Sequence, residues 1–297
     1  MQIIDGKKIR EKILEKVKKE VATLSFEPVF CDVLVGEDPV SMQYVKMKGN
    51  TAISVGINFH NAFFPSTITT EELVKEIDKL NKIPNMCGII IQLPLPVSID
   101  RRIILDAIDP KLDVDFLGSV AGNKFYNGQA KRGFPTALAC MVILDSLNLD
   151  NNPSTSLRTR KIVVLGQGDL VGKPITALLK SRGLNPIIIT SKTPARDAYG
   201  MTIANRENKE NLIKVADIII SGIGKGKYIT GDMIKEGAIL IDAGTSESDS
   251  GIIGDVDLRS VSDVASFVSP VPGGVGPVTV AMLLENVLYV AKSISKK

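Results

Sequence analysis

The chain has 297 residues, 44% hydrophobic and 23% charged, a balance that suits a folded protein long enough for two domains. Lysine plus arginine number 36 against 33 aspartate plus glutamate, and this evenly spread +3 argues against nucleic acid or an acidic membrane surface as partner. Cys31, Cys87 and Cys140 lie in apolar runs without metal-ligand or redox spacing and read as reduced core thiols. The N-terminus has no apolar signal core, and no apolar run approaches the ~18 residues of a membrane span, so a cytoplasmic location is expected.

A helical stretch over 7–24 leads into a β-branched run at 29–35. Asp38-Pro39 then sets an N-cap and a first-turn proline, and Gly56 closes the helix. At 100° per residue, Ser41, Tyr44, Lys48, Thr51, Ala52 and Val55 share one face of it, while Lys46 and Asn50 point elsewhere. Lys48 therefore sits on a small and apolar stripe, one turn beyond Tyr44. A lysine so placed either snorkels to solvent or is held from water, where it can act as a base or proton donor.

Strand-like runs follow at 57–63 and 88–91, with a helix over 70–81 between them. The second run ends in Gln92-Leu-Pro94-Leu-Pro96, where prolines stiffen the loop and fix the amide at a sheet's carboxyl edge. Gln92 there can hydrogen-bond the amine of Lys48 or satisfy local backbone. Asp113 and Asp115 stand two residues apart in an extended loop. A metal is disfavoured because no Cys or His is near and the sole histidine, His60, lies in another strand. The pair reads either as carboxylates recognising the N–H edge of a heterocycle or as plain exposed loop acids.

After a helix at 135–147, the polar stretch 148–160 separates two α/β units, the second running from about 140 to 270. Its first strand, 161–165, enters Gly166-Gln167-Gly168-Asp-Leu-Val171-Gly172-Lys-Pro174 and then an apolar helix. This is G-x-G-x-x-x-G, one residue longer than the usual dinucleotide fingerprint, with glycines where a phosphate must approach the backbone. The next strand ends in Thr190-Ser191-Lys192-Thr193 instead of the acid that NAD ribose requires. That favours NADP over NAD, the plain alternative being that Lys192 is a solvated loop charge. Strand ends at Ser221-Gly222-Ile223-Gly224 and Asp242-Ala243-Gly244 carry small residues, consistent with a cofactor across the sheet edge. Finally Pro270, Pro272, Gly273, Gly274, Gly276 and Pro277 force a tight loop before an apolar helix from Val278. Its free first-turn N–H groups can serve a ligand, or the segment is a simple turn.

Alternating strands and helices predict an α/β fold of two domains with a cleft between them, the second a Rossmann-like doubly wound parallel sheet. The expected bounds are 1–139 and 140–274, with the helix 275–297 returning to the first domain.

Motifs across nearly the whole chain resemble the bifunctional 5,10-methylenetetrahydrofolate dehydrogenase/methenyltetrahydrofolate cyclohydrolases. In order they are Asp5-Gly6-Lys7, Val35-Gly36 through Ser41 to Tyr44 and Lys48, Gln92-Leu-Pro-Leu-Pro96, and Asp113-Val-Asp115. Val171-Gly172-Lys-Pro174, Gly254-Asp255-Val256 and Pro270 to Pro277 with Thr279 complete the set. The resemblance implies oxidation of 5,10-methylenetetrahydrofolate with NADP, then hydrolysis to 10-formyltetrahydrofolate, in a cytoplasmic homodimer serving one-carbon metabolism and purine biosynthesis. It implies Lys48 as catalytic lysine, Gln92 as its positioning glutamine, and Asp115 as the carboxylate on the pterin. Tyr44 would stack on the p-aminobenzoyl ring, with Ser41, Pro272, Gly273, Gly276, Pro277 and Thr279 lining the folate. The cofactor would lie on Gly166, Gln167, Gly168, Val171, Gly172, Ser191, Lys192, Gly222, Asp242 and Gly244. The chain departs from the family at Leu112 and Phe116, which flank Asp113-Val-Asp115 where a lysine and a glycine are common. Gln167-Gly168 stands for Arg-Ser, removing one phosphate-binding arginine, and Thr190 stands for a histidine. The segments 151–160 and 194–208 are longer than usual. The alternatives are a single-activity member or a non-catalytic nucleotide-binding protein of the same fold.

Overall fold

The computed structural model describes residues 1–149, 157–191, 195–196, 202–204, 209–248 and 251–295. The elements begin β1 (Gln2–Ile3), α1 (Gly6–Val21), β2 (Val29–Val35), α2 (Pro39–Ser54), β3 (Asn58–Phe64), α3 (Thr70–Leu80) and β4 (Met86–Ile91). Next come α4 (Arg101–Asp106), α5 (Ser119–Tyr126), α6 (Pro135–Ser146), β5 (Ile162–Leu165), α7 (Gly172–Ser181) and β6 (Ile187–Ile189). The rest are β7 (Ala195–Arg196), β8 (Thr202–Ala204), α8 (Lys209–Lys214), β9 (Ile218–Ser221), β10 (Ile239–Asp242), β11 (Ser246–Ser248), β12 (Gly251–Ile253), β13 (Phe267–Ser269) and α9 (Val275–Ser295). Two compact units result: Glu11–Pro135 with Val280–Lys297, here the first, and Met1–Arg10 with Thr136–Thr279, the second.

The first unit holds a parallel sheet in the order β3-β2-β4. β2 and β4 are buried nearly throughout, whereas the edge strand β3 is partly exposed. The local signal before α2 works as expected, and α3 has a cap that the sequence reading did not name. The Asp38 carboxylate accepts the Ser41 N–H at 2.7 Å, and Thr69 with Glu72 forms a reciprocal capping box. Phe30, Ile57, Cys87 and Ile90 pack with Leu283, Leu284, Val287 and Leu288 of α9 in one apolar core. A Cβ at Gly88 would lie 2.8 Å from Val287, so only glycine lets strand and helix meet that closely. By length and composition α9 is apolar enough to cross a membrane, which corrects the expectation that no run approaches that length. Its window is 56% buried inside the protein, which suits a core helix.

Among the described residues, the second unit carries a sheet in the order β1-β13-β10-β9-β5-β6-β7-β8, parallel from β1 to β6 and antiparallel beyond. The chain leaves β5 for β6 on one side and returns to β9 on the other. Such a reversal of strand order opens a crevice at the carboxyl end of β5. The doubly wound α/β class matches the reading from alternation, but the expected domain start needs correction. Met1–Arg10 belong with the second unit because β1 pairs in parallel with β13, Gln2 opposite Phe267 and Ile3 opposite Val268. A two-residue strand is too short for periodicity to reveal.

Gly6 then donates its N–H to Gly273 O at 3.0 Å, and a Cβ at Gly6 would lie 1.9 Å from Gly274 O. Backbone on both sides leaves nothing free to yield. Gly6→Ala is expected to cost about 2–3 kcal/mol, seen as a drop of several degrees in the thermal midpoint. An unchanged midpoint would refute the tight contact.

Candidate active site

Lys48 lies on the inward face of α2 with Ser41, Val45, Gly49, Thr51 and Ala52 buried beside it, and only 8% of the residue is exposed. Gly49 makes that face possible, since a Cβ there would lie 2.5 Å from the Phe59 ring of β3. Lys48 Nζ donates to Gln92 Oε1 at 2.7 Å, and the Gln92 amide donates to Leu93 O at 2.8 Å. The Gln92 backbone N–H is held by Val33 O at 2.8 Å, continuing the sheet one residue past β4. Of the two readings of Lys48, the structure selects the amine turned inward. Tyr44, one turn earlier, is partly buried, and burial pushes its phenol pKa up.

Asp113 and Asp115 divide their labour. Asp113 is buried and its carboxylate accepts the N–H groups of Asp115, Phe116 and Gly118 at 3.2, 2.8 and 2.8 Å, so it shapes the loop. Burial pushes it up to about 6 against those hydrogen bonds. Asp115 remains partly exposed and, among the described residues, has no such duty. Burial pushes it up to about 7, Lys48 pulls it down, and the charges of Asp113 and Asp32 push it up further. Phe116 occupies the left-handed region at φ 64°, the conformation glycine favours. Its ring lies against Phe125 and Phe134 at 6.3 and 6.1 Å between centroids, which offsets the backbone strain by packing. Asn286 of α9 anchors the same loop by donating to Val114 O and Gly133 O, both at 2.9 Å.

In the second unit, Gly274 N–H closes the proline–glycine turn on Pro270 O at 2.7 Å, and Gly273 has φ 107°. The helix opens at Val275, earlier than expected, with Gly276 and Pro277 in its first turn. Pro272 and Gly276 are exposed, and the Thr279 hydroxyl donates to Val275 O at 3.1 Å.

The turn after β5 has the form a phosphate-binding loop requires. Gly166 has φ 92°, and a Cβ at Gly172 would lie 2.2 Å from Gly166 O, so α7 starts against the turn. A Cβ at Gly222 would press on Val171 at 2.8 Å, while Gly168 is open on the surface. Gln167 bends back, its amide donating to Gly166 O and Thr176 Oγ1 at 2.9 and 3.2 Å. Ser191 is exposed just past β6, and Lys192 lies outside the described residues. Lys209 reaches that strand end from α8, donating to Thr190 O.

Asp242 is a correction. It is 1% exposed, and its carboxylate accepts the N–H groups of Gly244, Asp255 and Val256 at 3.0, 3.1 and 2.9 Å, leaving it closed to a cofactor. Burial pushes it up to about 6. Gly244 serves the same clamp, since a Cβ there would meet the Asp255 carboxylate at 2.1 Å. Asp255 in turn accepts Ser221 Oγ, Ile223 N–H and Lys225 N–H at 2.6, 2.9 and 2.7 Å. These two carboxylates tie three loop ends at the edge of the sheet.

Sequence reasoning missed Asp32, which is fully buried with Oδ2 2.7 Å from Lys48 Nζ. The signal was present as a lone acid within the apolar run Val29–Val35.

Two family models match the chain: the catalytic domain of tetrahydrofolate dehydrogenase/cyclohydrolase over residues 4–115 and its NAD(P)-binding domain over 135–295. The bifunctional protein FolD of Nautilia profundicola is 40% identical, covering 100% of this chain and 99% of that protein. That of Nitratiruptor sp. is 41% identical, with 98% of each covered. The crystal structure of the bifunctional FolD dehydrogenase/cyclohydrolase from Campylobacter jejuni superposes with TM-score 0.87 at 33% identity, covering 99% of each chain. The Trypanosoma brucei enzyme, solved with NADP and an inhibitor, gives TM-score 0.88 at 29% identity over 100% of this chain and 99% of that one.

Proposed function

The chain belongs to the tetrahydrofolate dehydrogenase/cyclohydrolase family, and from that membership we propose that it oxidises 5,10-methylenetetrahydrofolate with NADP and hydrolyses the product to 10-formyltetrahydrofolate. The observation that carries the reading is the inward amine of Lys48, 2.7 Å from Gln92 Oε1, in the same unit as the spare carboxylate of Asp115.

The residues fit each task. Asp115 is suited to accept hydrogen bonds from the N–H edge of the pterin, and Tyr44 to lie against the p-aminobenzoyl ring. Hydride departure from the methylene carbon needs no acid or base, so for that step the chain's task is to hold its substrates in line. NADP, when bound, supplies the ring that accepts the hydride. Its phosphates suit the turn of Gly166, Gly168, Val171 and Gly172, where backbone N–H groups open a helix. Thr190 and Ser191 in place of an acid, with the Lys209 amine at the same strand end, favour a 2′-phosphate. For hydrolysis, Lys48 takes a proton from the water adding to the methenyl carbon and returns it to the ring nitrogen that leaves. Gln92 holds Nζ for both transfers.

The reading extends to a cytoplasmic homodimer serving one-carbon metabolism and purine biosynthesis, with no nucleic-acid or membrane partner. Free, buried Cys31, Cys87 and Cys140 suit a reducing compartment. An apolar groove of about 820 Å³ beside the edge strand β3, lined by Met42, Ile53, Phe59 and Phe63, suits a partner copy. Light scattering during gel filtration would test the dimer, and a monomer at micromolar concentration would refute it.

Absorbance assays of 5,10-methylenetetrahydrofolate turnover with NADP and with NAD test the main reading. The expected kcat/KM is at least about tenfold higher with NADP. No reduced cofactor with either would overturn the dehydrogenase assignment.

A further inference from the structure

Asp32 sits mid-way along β2, opposite Asn61 of β3 and Ile90 of β4, in a central strand otherwise made of apolar residues. A carboxylate with no solvent exposure in that position is unfavourable unless something compensates it. Its Oδ1 meets no hydrogen-bond donor among the described residues. Oδ2 lies 2.7 Å from Lys48 Nζ without hydrogen-bond alignment, a contact of charge and proximity. Nζ thus has two oxygen neighbours at 2.7 Å, the neutral amide of Gln92 and the carboxylate of Asp32. The amide alone can orient an amine. A second, charged neighbour inside the sheet has a different capacity, because it can hold a proton.

We propose that Asp32 is a positioning residue for Lys48 that fixes Nζ opposite Gln92 by its charge and takes its proton once the amine turns to align an N–H with Oδ2 across the 2.7 Å contact. The proposal rests on the reading that Lys48 acts in hydrolysis. The ion pair places one proton between Nζ and Oδ2. Transfer from Nζ to Oδ2 leaves two neutral groups, which a dry interior favours more than water does. The free amine takes a proton from water as the C–O bond to the methenyl carbon forms. It then gives that proton to the ring nitrogen as the C–N bond breaks. The hydroxyl proton leaves to solvent as the formyl C=O forms, and Asp32 returns its own proton to Lys48. One proton is released per turnover, as hydrolysis of the cation requires.

The surroundings are consistent with this role. Burial raises the Asp32 pKa while Lys48 lowers it, so the carboxylate accepts a proton more readily than a surface acid. The other titratable groups around the pair are Asp115 and Asp113 from the loop, Tyr44 on α2, Cys31 beside Asp32 and the exposed His60 opposite Cys31. Burial and the Asp32 charge push the Cys31 thiol up to about 12, which removes it as a competing proton acceptor.

Asp32→Asn and Asp32→Val, made in the full chain, test the assignment. Valine suits an apolar strand but leaves the Lys48 amine without its buried anion, so its thermal midpoint is expected below that of the parent while the chain still folds. Methenyltetrahydrofolate hydrolysis is followed from pH 5.5 to 9 after subtracting the uncatalysed rate, with reduced-cofactor formation reporting that each variant is folded. Both variants are expected to lose about 100-fold in cyclohydrolase kcat with KM within about threefold. The parent profile falls on the acid side as Asp32 takes up a proton and levels off above. The residual rate of the variants is expected to lose the acid-side fall that Asp32 imposes on the parent. A merely structural role would lower both activities together and leave the shape of the profile unchanged, which would overturn the proposal. So would parental kcat in either variant. If Lys48→Met also retains hydrolysis, the reading of Lys48 itself fails, an outcome separate from any result at Asp32.

Discussion

Lys48→Met is expected to lower the cyclohydrolase rate by about a thousandfold while NADP reduction continues, so that methenyltetrahydrofolate accumulates. Methionine keeps the unbranched stem that packs on the inward face of α2 and deletes only the amine. Oxidation at the methylene carbon asks nothing of that amine, whereas adding water to the cation does. The same change leaves Asp32 buried without its cation, a loss of about 3–5 kcal/mol that protonation of Asp32 moderates. Its carboxyl is already shifted upward by burial, so the loss is largest at alkaline pH and shrinks as pH falls through the raised value. The double variant Lys48→Met/Asp32→Val is therefore expected to regain stability without regaining hydrolysis. Recording the methenyl band during turnover with NADP, alongside thermal midpoints at pH 6 and 9, separates the two effects. Hydrolysis at the parental rate in Lys48→Met would exclude the lysine from the chemistry.

Asp115→Asn is expected to act in opposite directions on function and stability. Folding moves this carboxyl from 3.8 to about 7, mainly by burial. The folded chain therefore holds a proton that the unfolded chain has already lost between those values. Stability from this group is full below about pH 4, declines as pH rises, and is gone above about 7. Asparagine removes the charge, so at pH 8 it is expected to add about 2 kcal/mol after allowance for partial exposure, or roughly 4 °C, and little at pH 4. The amide cannot accept two hydrogen bonds as a charged acceptor does, so KM for the folate is expected to rise about 100-fold. In the parent, the same titration raises KM as pH falls below 7. Equal thermal midpoints for parent and variant at pH 8 would show that the carboxylate is not held under this strain.

Short-range signals carried much of this from the sequence. Asp38-Pro39 and Gly56 bound α2, and its period put Lys48 on one face with Ser41 and Thr51, because capping and amphipathicity act within a few residues. The glycines at 166 and 172 announced the nucleotide turn, since no other residue allows that approach of backbone to backbone. Phe116 read as a departure whose effect on the loop was open. Its left-handed backbone and its stack on Phe125 and Phe134 keep the turn that glycine would allow.

Partnership across long sequence separations was not legible. Asp242 looked like a cofactor ligand because it ends a strand, yet the N–H groups that enclose it come from 244, 255 and 256. Asp115 and Asp113 were equivalent by residue type and spacing, so that only the resemblance singled out Asp115, and the physical difference came when three backbone N–H groups converged on Asp113. Pairing of β1 with β13 joins chain positions more than 260 residues apart and is invisible to periodicity. The sequence by itself thus determined the α/β class, the face of α2 that carries Lys48 and the glycine turns, all set by local backbone geometry. Only the tertiary structure decided which carboxylates clamp backbone N–H groups. It also placed Asp32 against Lys48, since burial and proximity are properties of the packed chain.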